Sequence, residues 1–223
     1  MIRVYKSPNI PASLTSTSSY DGEDVKLQLL EDQHGKCYIC ERCRDTDFEI
    51  EHYKSQNKHP EFIQDWSNLF MGCRYCNGKK SNYYDDILNP RNCNIEEEIE
   101  QCIDFSSKKA IFKSHVNDKE HVNTAELLSK VYNGSKSVRS IKEERFFEKA
   151  ISIINNFLDL VYLYLKSPST ETENAIKEEL SIEKELLGFK YWIIHKNPTL
   201  NAKFANDMVW NRKNQDKTIR VSR

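Results

Sequence analysis

Two CxxC pairs, Cys37 with Cys40 and Cys73 with Cys76, stand 32 residues apart in this chain. No other feature restricts the fold as much. Each pair lets two thiolates converge on one ion, and two pairs complete a tetrahedral four-thiolate zinc site with no open position. A closed site of this kind is structural: binding the ion folds the loop between the pairs. The chain has seven cysteines, an odd number, and residues 1–14 carry prolines and lack the apolar stretch of an export signal. Metal is therefore expected before disulfides. Cys43 offers a further CxxC with Cys40, so the register of the first pair stays open, while Cys93 and Cys102 lack paired spacing and are expected as free thiols. Such a staple serves binding modules as well as enzymes and does not specify a function.

With 223 residues, 38% of them hydrophobic and 30% charged, the chain has enough material for a substantial core. Its formal net charge of -1 excludes a molecule that binds nucleic acid through overall charge. Attraction to a polyanion must come from a local patch, a metal or a partner. The most apolar stretch, residues 146–165, contains Glu148, Lys149, Asn155, Asn156 and Asp159. Those groups are expensive in lipid, so the stretch reads as a buried helix, and a cytoplasmic protein without membrane contact is expected.

The pattern along the chain predicts an α+β protein, mostly α, in four parts. Residues 1–19 read as an extended arm. Residues 20–92 hold the cysteine-rich segment, with a helix over 20–34 ended by Gly35 and an alternating strand-like run over 48–53. Residues 93–201 read as a helical domain. In it, a helix is expected to start near Asn123, a long helix covers 138–166 with Phe146, Phe147, Ala150, Ile154, Phe157, Leu158, Val161 and Leu165 on its apolar face, and a further helix runs from about Thr170 to near Gly188. Residues 111–121 fit no element clearly. Residues 202–223 form a basic tail, read either as solvated or as touching phosphate.

Between and after the cysteine pairs lie Glu51-His52, then Asn68 after 15 residues, then Asn77-Gly78-Lys79-Lys80-Ser81 after 8 more. This order and spacing resembles the HNH endonuclease family, whose pattern is an acid-His pair on a strand, an Asn in the following loop, and a His or Asn at the start of a helix. The cysteine pairs also fall where zinc-containing members place theirs. The resemblance implies a ββα-metal fold. It implies that His52 is the general base for an attacking water, since imidazole titrates near neutrality. It implies Glu51 and Asn77 as oxygen ligands of catalytic Mg2+ or Mn2+, and Asn68 as the residue that pins the loop. Lys79 and Lys80 are expected on flanking phosphates. Asn77 stands where many members have His, which leaves the metal preference open. His34, His59, His115, His121 and His195 lack ligand spacing.

Residues 37–90, with Ile50-Glu51-His52-Tyr53 and Trp66-Ser67-Asn68-Leu69 as landmarks, are also similar to the PtuB nucleases of Septu anti-phage systems, which also occur in some retrons. Those nucleases often follow the acid-His pair with an aromatic, a basic residue, Pro and Lys; here Ser55 and Gln56 replace the last two. This narrower resemblance implies a PtuA-type ABC ATPase as partner, or a retron complex with reverse transcriptase and msDNA, with residues 93–201 available for docking. DNA is the expected substrate. The same chemistry on RNA such as tRNA, and a non-catalytic zinc-binding module, are the alternatives.

Overall fold

A computed structural model describes residues 1–16, 19–43 and 47–210. In chain order its elements are α1 (Ala12–Ser16), α2 (Glu23–Asp32), β1 (Phe48–His52), β2 (Leu69–Cys73), α3 (Arg74–Lys80), α4 (Ile95–Glu98), β3 (Ile99–Asp104), β4 (Lys109–Ser114), α5 (Lys119–Asn133), α6 (Ile141–Lys166), α7 (Thr170–Glu179), α8 (Leu187–His195) and α9 (Pro198–Phe204). Helices dominate, with two antiparallel two-stranded sheets, β1-β2 and β3-β4. The mostly α, α+β expectation holds.

The ββα unit is short and tightly specified. β1 alternates, with Phe48, Ile50 and His52 on one face and Glu49 and Glu51 on the other. It pairs with β2 in the register Phe48↔Cys73 to His52↔Leu69. Gly72, opposite Glu49, lets the strands carry Glu51 inward: a Cβ at Gly72 would sit 3.1 Å from Glu51 Cβ. β2 ends at Cys73, whose sulfur caps α3 by accepting from the Cys76 amide. The second cysteine pair is thus the start of the helix that carries Asn77.

One apolar core runs across the expected boundary at residues 92 and 93. Cys37, Tyr38, Phe70, Cys73, Tyr75 and Cys76 pack in the same cluster as Leu127, Val131, Tyr132, Phe146, Phe147 and Phe189. Tyr75 stacks on Phe146 at 4.5 Å between centroids, and Tyr132 meets Phe146 and Phe189 edge-on. Two buried hydroxyls tie the parts together: Tyr75 donates to the Val131 carbonyl at 2.8 Å, and Tyr132 to the Cys40 carbonyl at 3.0 Å. The helices therefore roof the cysteine-rich segment. A second cluster joins the distal half of α6 to α7, α8 and α9 through Phe157, Val161, Ile176 and Phe204. A third backs the β1-β2 sheet with Leu14, Leu29, Trp66 and Met71.

Several boundaries differ from the sequence expectation. The arm is not free of the body: Met1, Ile2, Val4 and Lys6 are buried, and the Val4 amide bonds to the Pro90 carbonyl. α5 starts at Lys119 under an Asp118 cap, and Asn123 lies inside it. The stretch that fitted no element contributes to a hairpin, β3-β4. The long helix is present from Ile141, under a Ser140–Glu143 capping box, but Leu165 is exposed. α7 ends at Glu179, and Gly188 lies inside α8. Of the basic tail, residues 202–210 are anchored by buried Phe204, Met208 and Trp210; residues 211–223 lie outside the described residues. Among the described residues, no helix is long and apolar enough to cross a membrane.

Candidate active site and metal centre

The four sulfurs of Cys37, Cys40, Cys73 and Cys76 lie within 4.8 Å of one another, and all four residues are buried. The first pair sits on a tight turn in which the Glu41 amide bonds to the Cys37 carbonyl at 2.8 Å and Glu41 takes a positive φ of 56°. The Tyr38 amide bonds to the Met71 carbonyl at 3.1 Å and brings this turn against β2. Sulfurs that share one zinc at about 2.3 Å are about 3.8 Å apart, so the donor set fits a four-thiolate ion. Burial pushes the Cys40 and Cys76 thiols up, while hydrogen bonds from the neighbouring thiols pull Cys73 down. Cys43 is exposed and outside this group, which settles the register left open by the sequence.

A cleft of about 390 Å³ opens between the end of β1, the loop after it and α3. Glu51, His52, Gln56, Asn77 and Ser81 line it. His52 is only 5% exposed, with Tyr20 edge-on at 4.6 Å. Its Nε2 lies 2.9 Å from the Ile63 carbonyl. A carbonyl only accepts, so Nε2 carries the hydrogen in the neutral ring and Nδ1 is left as the base. Nδ1 faces the Gln56 amide at 3.0 Å. Burial, reinforced by the Lys80 charge, holds the imidazole below its usual 6.5 against the pull of the Ile63 carbonyl. The ring is therefore neutral at pH 7 and can take a proton at Nδ1.

Asn68 fixes the loop that supplies that carbonyl. Its Oδ1 accepts from the Lys54 amide at 2.7 Å, and its Nδ2 donates to the carbonyls of Lys54 and Phe62 at 3.0 and 3.1 Å. Asn68 is itself buried. An Asn68→Ala variant strips partners from three backbone groups and is expected to lose about 2–3 kcal/mol, or on the order of 5–10 °C of melting temperature. A thermal melt checks this; a shift under about 2 °C would mean that the loop is held by other contacts.

Glu51 is buried, with one oxygen taking the Tyr38 hydroxyl and the other 2.8 Å from Lys80 Nζ. Burial raises its carboxyl, and Lys80 and Tyr38 pull it back. Each carboxylate oxygen keeps a second lone pair, so the group still has acceptor capacity on the cleft. Asn77 donates its amide to Glu49 at 2.9 Å, which leaves its Oδ1 without a donor among the described residues. Two hard oxygen donors on one cleft fit a small divalent cation.

The lysines expected on phosphates are placed otherwise. Lys80 is fully buried, and its ammonium also meets the His52 carbonyl at 3.0 Å. It supports the site from within and does not reach a backbone outside. Lys79 donates to Glu143 at the start of α6. Gln56, Glu49, Tyr38 and Tyr20, which orient His52, Asn77 and Glu51, were not singled out from the sequence. Only Glu49 carried a signal, since it shares a strand face with Glu51.

Residues 40–83 match the family described as HNH endonuclease. This segment is an HNH endonuclease domain. It contains the acid-His pair, Asn68, Asn77 and three of the four clustered cysteines. The chain is also 27% identical over 177 residues to the Septu protein PtuB of Bacillus thuringiensis, an alignment covering 68% of this chain. The chain spans 65% of that relative's length. The HNH domain therefore sits in a chain that is PtuB-like beyond the cleft itself.

Proposed function

We propose that the chain is a metal-dependent endonuclease that hydrolyses phosphodiester bonds in DNA as the nuclease of a Septu-type defence complex. The observation that carries this reading is the fixed tautomer of His52: the Ile63 carbonyl holds Nε2, which leaves Nδ1 as the basic ring atom on a cleft that also has Glu51 and Asn77. His52 accepts the proton of an attacking water at Nδ1 once Gln56 yields its place. Asn68 keeps the ring on line through the loop it pins. Glu51 and Asn77 would hold Mg2+ or Mn2+, which supplies positive charge for the scissile phosphate and its leaving oxygen. Cys37, Cys40, Cys73 and Cys76 would hold zinc, which supplies the staple for the ββα unit. The chemistry uses no ribose 2'-OH, so DNA suffices as substrate.

A PtuA-type ABC ATPase is the partner we propose, on the likeness to the Septu relative. That relative is a Septu protein, and for that reason we propose a Septu setting and not a retron with reverse transcriptase and msDNA. The distal end of α6 exposes Tyr162, Leu163 and Leu165, apolar surface that the HNH domain does not use and that suits docking.

The test is incubation of the purified chain, alone and with a PtuA-type ATPase, with plasmid DNA and with total RNA. Each is run with Mg2+, with Mn2+ and with no added divalent ion. Plasmid cleavage that needs added metal is expected. Degraded RNA beside intact plasmid would move the substrate to RNA, and no cleavage in any arm would favour the non-catalytic zinc module.

A further inference from the structure

A chain with a net charge of -1 needs a local source of attraction for a polyanion. Lys79 and Lys80 do not provide it, since one is paired with Glu143 and the other is buried on Glu51. The available cations lie on the other flank of α3. Lys142, Arg145 and Lys149 follow one another at i, i+3 and i+7 on α6, a spacing that places them on one helix face. All three are exposed. None forms an ion pair with a described residue.

These three residues line a cleft of about 380 Å³ whose inner wall includes Arg42. Arg42 is the second and independent observation. It is only 7% exposed, and its Nε and Nη1 are buried without a hydrogen-bond partner among the described residues. Among the described residues its ion-pair partner is Glu185, 3.7 Å from Nε and beyond hydrogen-bond reach. Buried donors without acceptors are costly, and a charged guanidinium N–H is a strong donor to a phosphate oxygen. Asp47 and Glu148 also line the cleft, so among the described lining residues four cations face two carboxylates. The stacked rings of Tyr75 and Phe146 form its apolar floor.

α3 separates this cleft from the candidate active site. Tyr75 lines the one and Asn77 the other. Two residues along an α-helix are about 200° apart around its axis, and a helix with side chains is about 10–12 Å across. We propose that the cleft of Arg42, Lys142, Arg145 and Lys149 is a second, non-catalytic phosphate site that grips the nucleic-acid backbone about one helix diameter from the scissile phosphate. Only its relation to a scissile phosphate rests on the nuclease reading.

The test uses the full chain with His52→Ala, so that bound nucleic acid stays intact. Binding of a fluorescent DNA duplex of ~20 base pairs is followed by anisotropy between about 50 and 200 mM salt, a range over which phosphate contacts are strongly screened. The triple variant K142Q/R145Q/K149Q is compared with K109Q/K113Q/K166Q, which removes equal charge from exposed lysines elsewhere. The first triple should bind at least about tenfold more weakly at low salt, with the log–log salt slope shallower by about two to three. The second should bind as the parent does. All three changes in the first triple are at exposed positions, so an unchanged melting temperature is expected and separates lost contact from lost fold.

Equal affinity and slope for the two triples would overturn the proposal. Displacement of the duplex by ATP or by polyglutamate at equal charge would also overturn it, in favour of a nucleotide or an acidic protein segment. Cleavage by the otherwise unmodified chain is measured separately. Binding that depends on the patch without cleavage leaves this site standing and removes the nuclease reading; cleavage without dependence on the patch does the reverse.

Discussion

Replacing Cys40 with serine is expected to unfold the HNH domain and loosen the roof above it. The four sulfurs are fully buried at the junction of the first turn, β2 and α3. Structural zinc contributes on the order of 10–16 kcal/mol to small stapled folds, as much as or more than the net stability of about 5–15 kcal/mol of a typical domain. The loss does not stay local, because Tyr132 bonds to the Cys40 carbonyl and Tyr75 to the Val131 carbonyl. Circular dichroism and metal analysis would read this together: bound zinc falls below one per chain, and the cooperative melt of the parent disappears. Cys43→Ser, at an exposed position outside the cluster, should do neither. A Cys40→Ser protein with the parent's melting curve would show that apolar packing holds the segment without the ion.

The second large effect is expected at Lys80. Its ammonium is fully buried between Glu51, the His52 carbonyl and, at 3.9 Å, Asp85. Replacing it with methionine preserves the volume but strands Glu51 in a dry pocket. Breaking a buried pair from one side costs about 3–5 kcal/mol. A chain of this length should then melt roughly 6–20 °C lower. Glu51→Gln added to Lys80→Met removes the stranded charge, so the double variant should be more stable than Lys80→Met alone. If the two losses simply add, the lysine acts through Asp85 or packing and not through Glu51.

What could be read from the sequence was what local pattern encodes. CxxC spacing placed the four sulfurs, and alternation over 48–53 placed β1, which runs Phe48–His52, because ligand convergence and strand period are local rules. The β3-β4 hairpin escaped because its turn lacks the usual glycine. Asp104 builds it instead, accepting from the Ser106 amide and the Ser107 hydroxyl, while Lys108 takes a φ of 51°. Asn123 looked like a helix cap but lies in the second turn of α5 and donates to the Asp86 carbonyl at 2.7 Å, a tertiary contact no local rule foresees. Gly188 looked like a helix stop. The chain breaks earlier, at Leu186 with a φ of 57°, and Gly188 is small because the Gln101 side chain lies against it. Lys80 sits next to Lys79 in the sequence, yet it alone turns fully inward, since the helix rotates it toward Glu51. Gln56 reaches His52 only once the loop has closed.

The proposed hydrolysis depends on His52 as the proton acceptor in the cleft. The most direct measurement compares metal-dependent cleavage by the parent chain with that by His52→Ala, with zinc content and melting temperature recorded on the same samples. Loss of a general base lowers rates by about 10²–10⁴-fold, and the account predicts a loss of at least that size with both controls unchanged. Cleavage by His52→Ala at the parent's rate would contradict it.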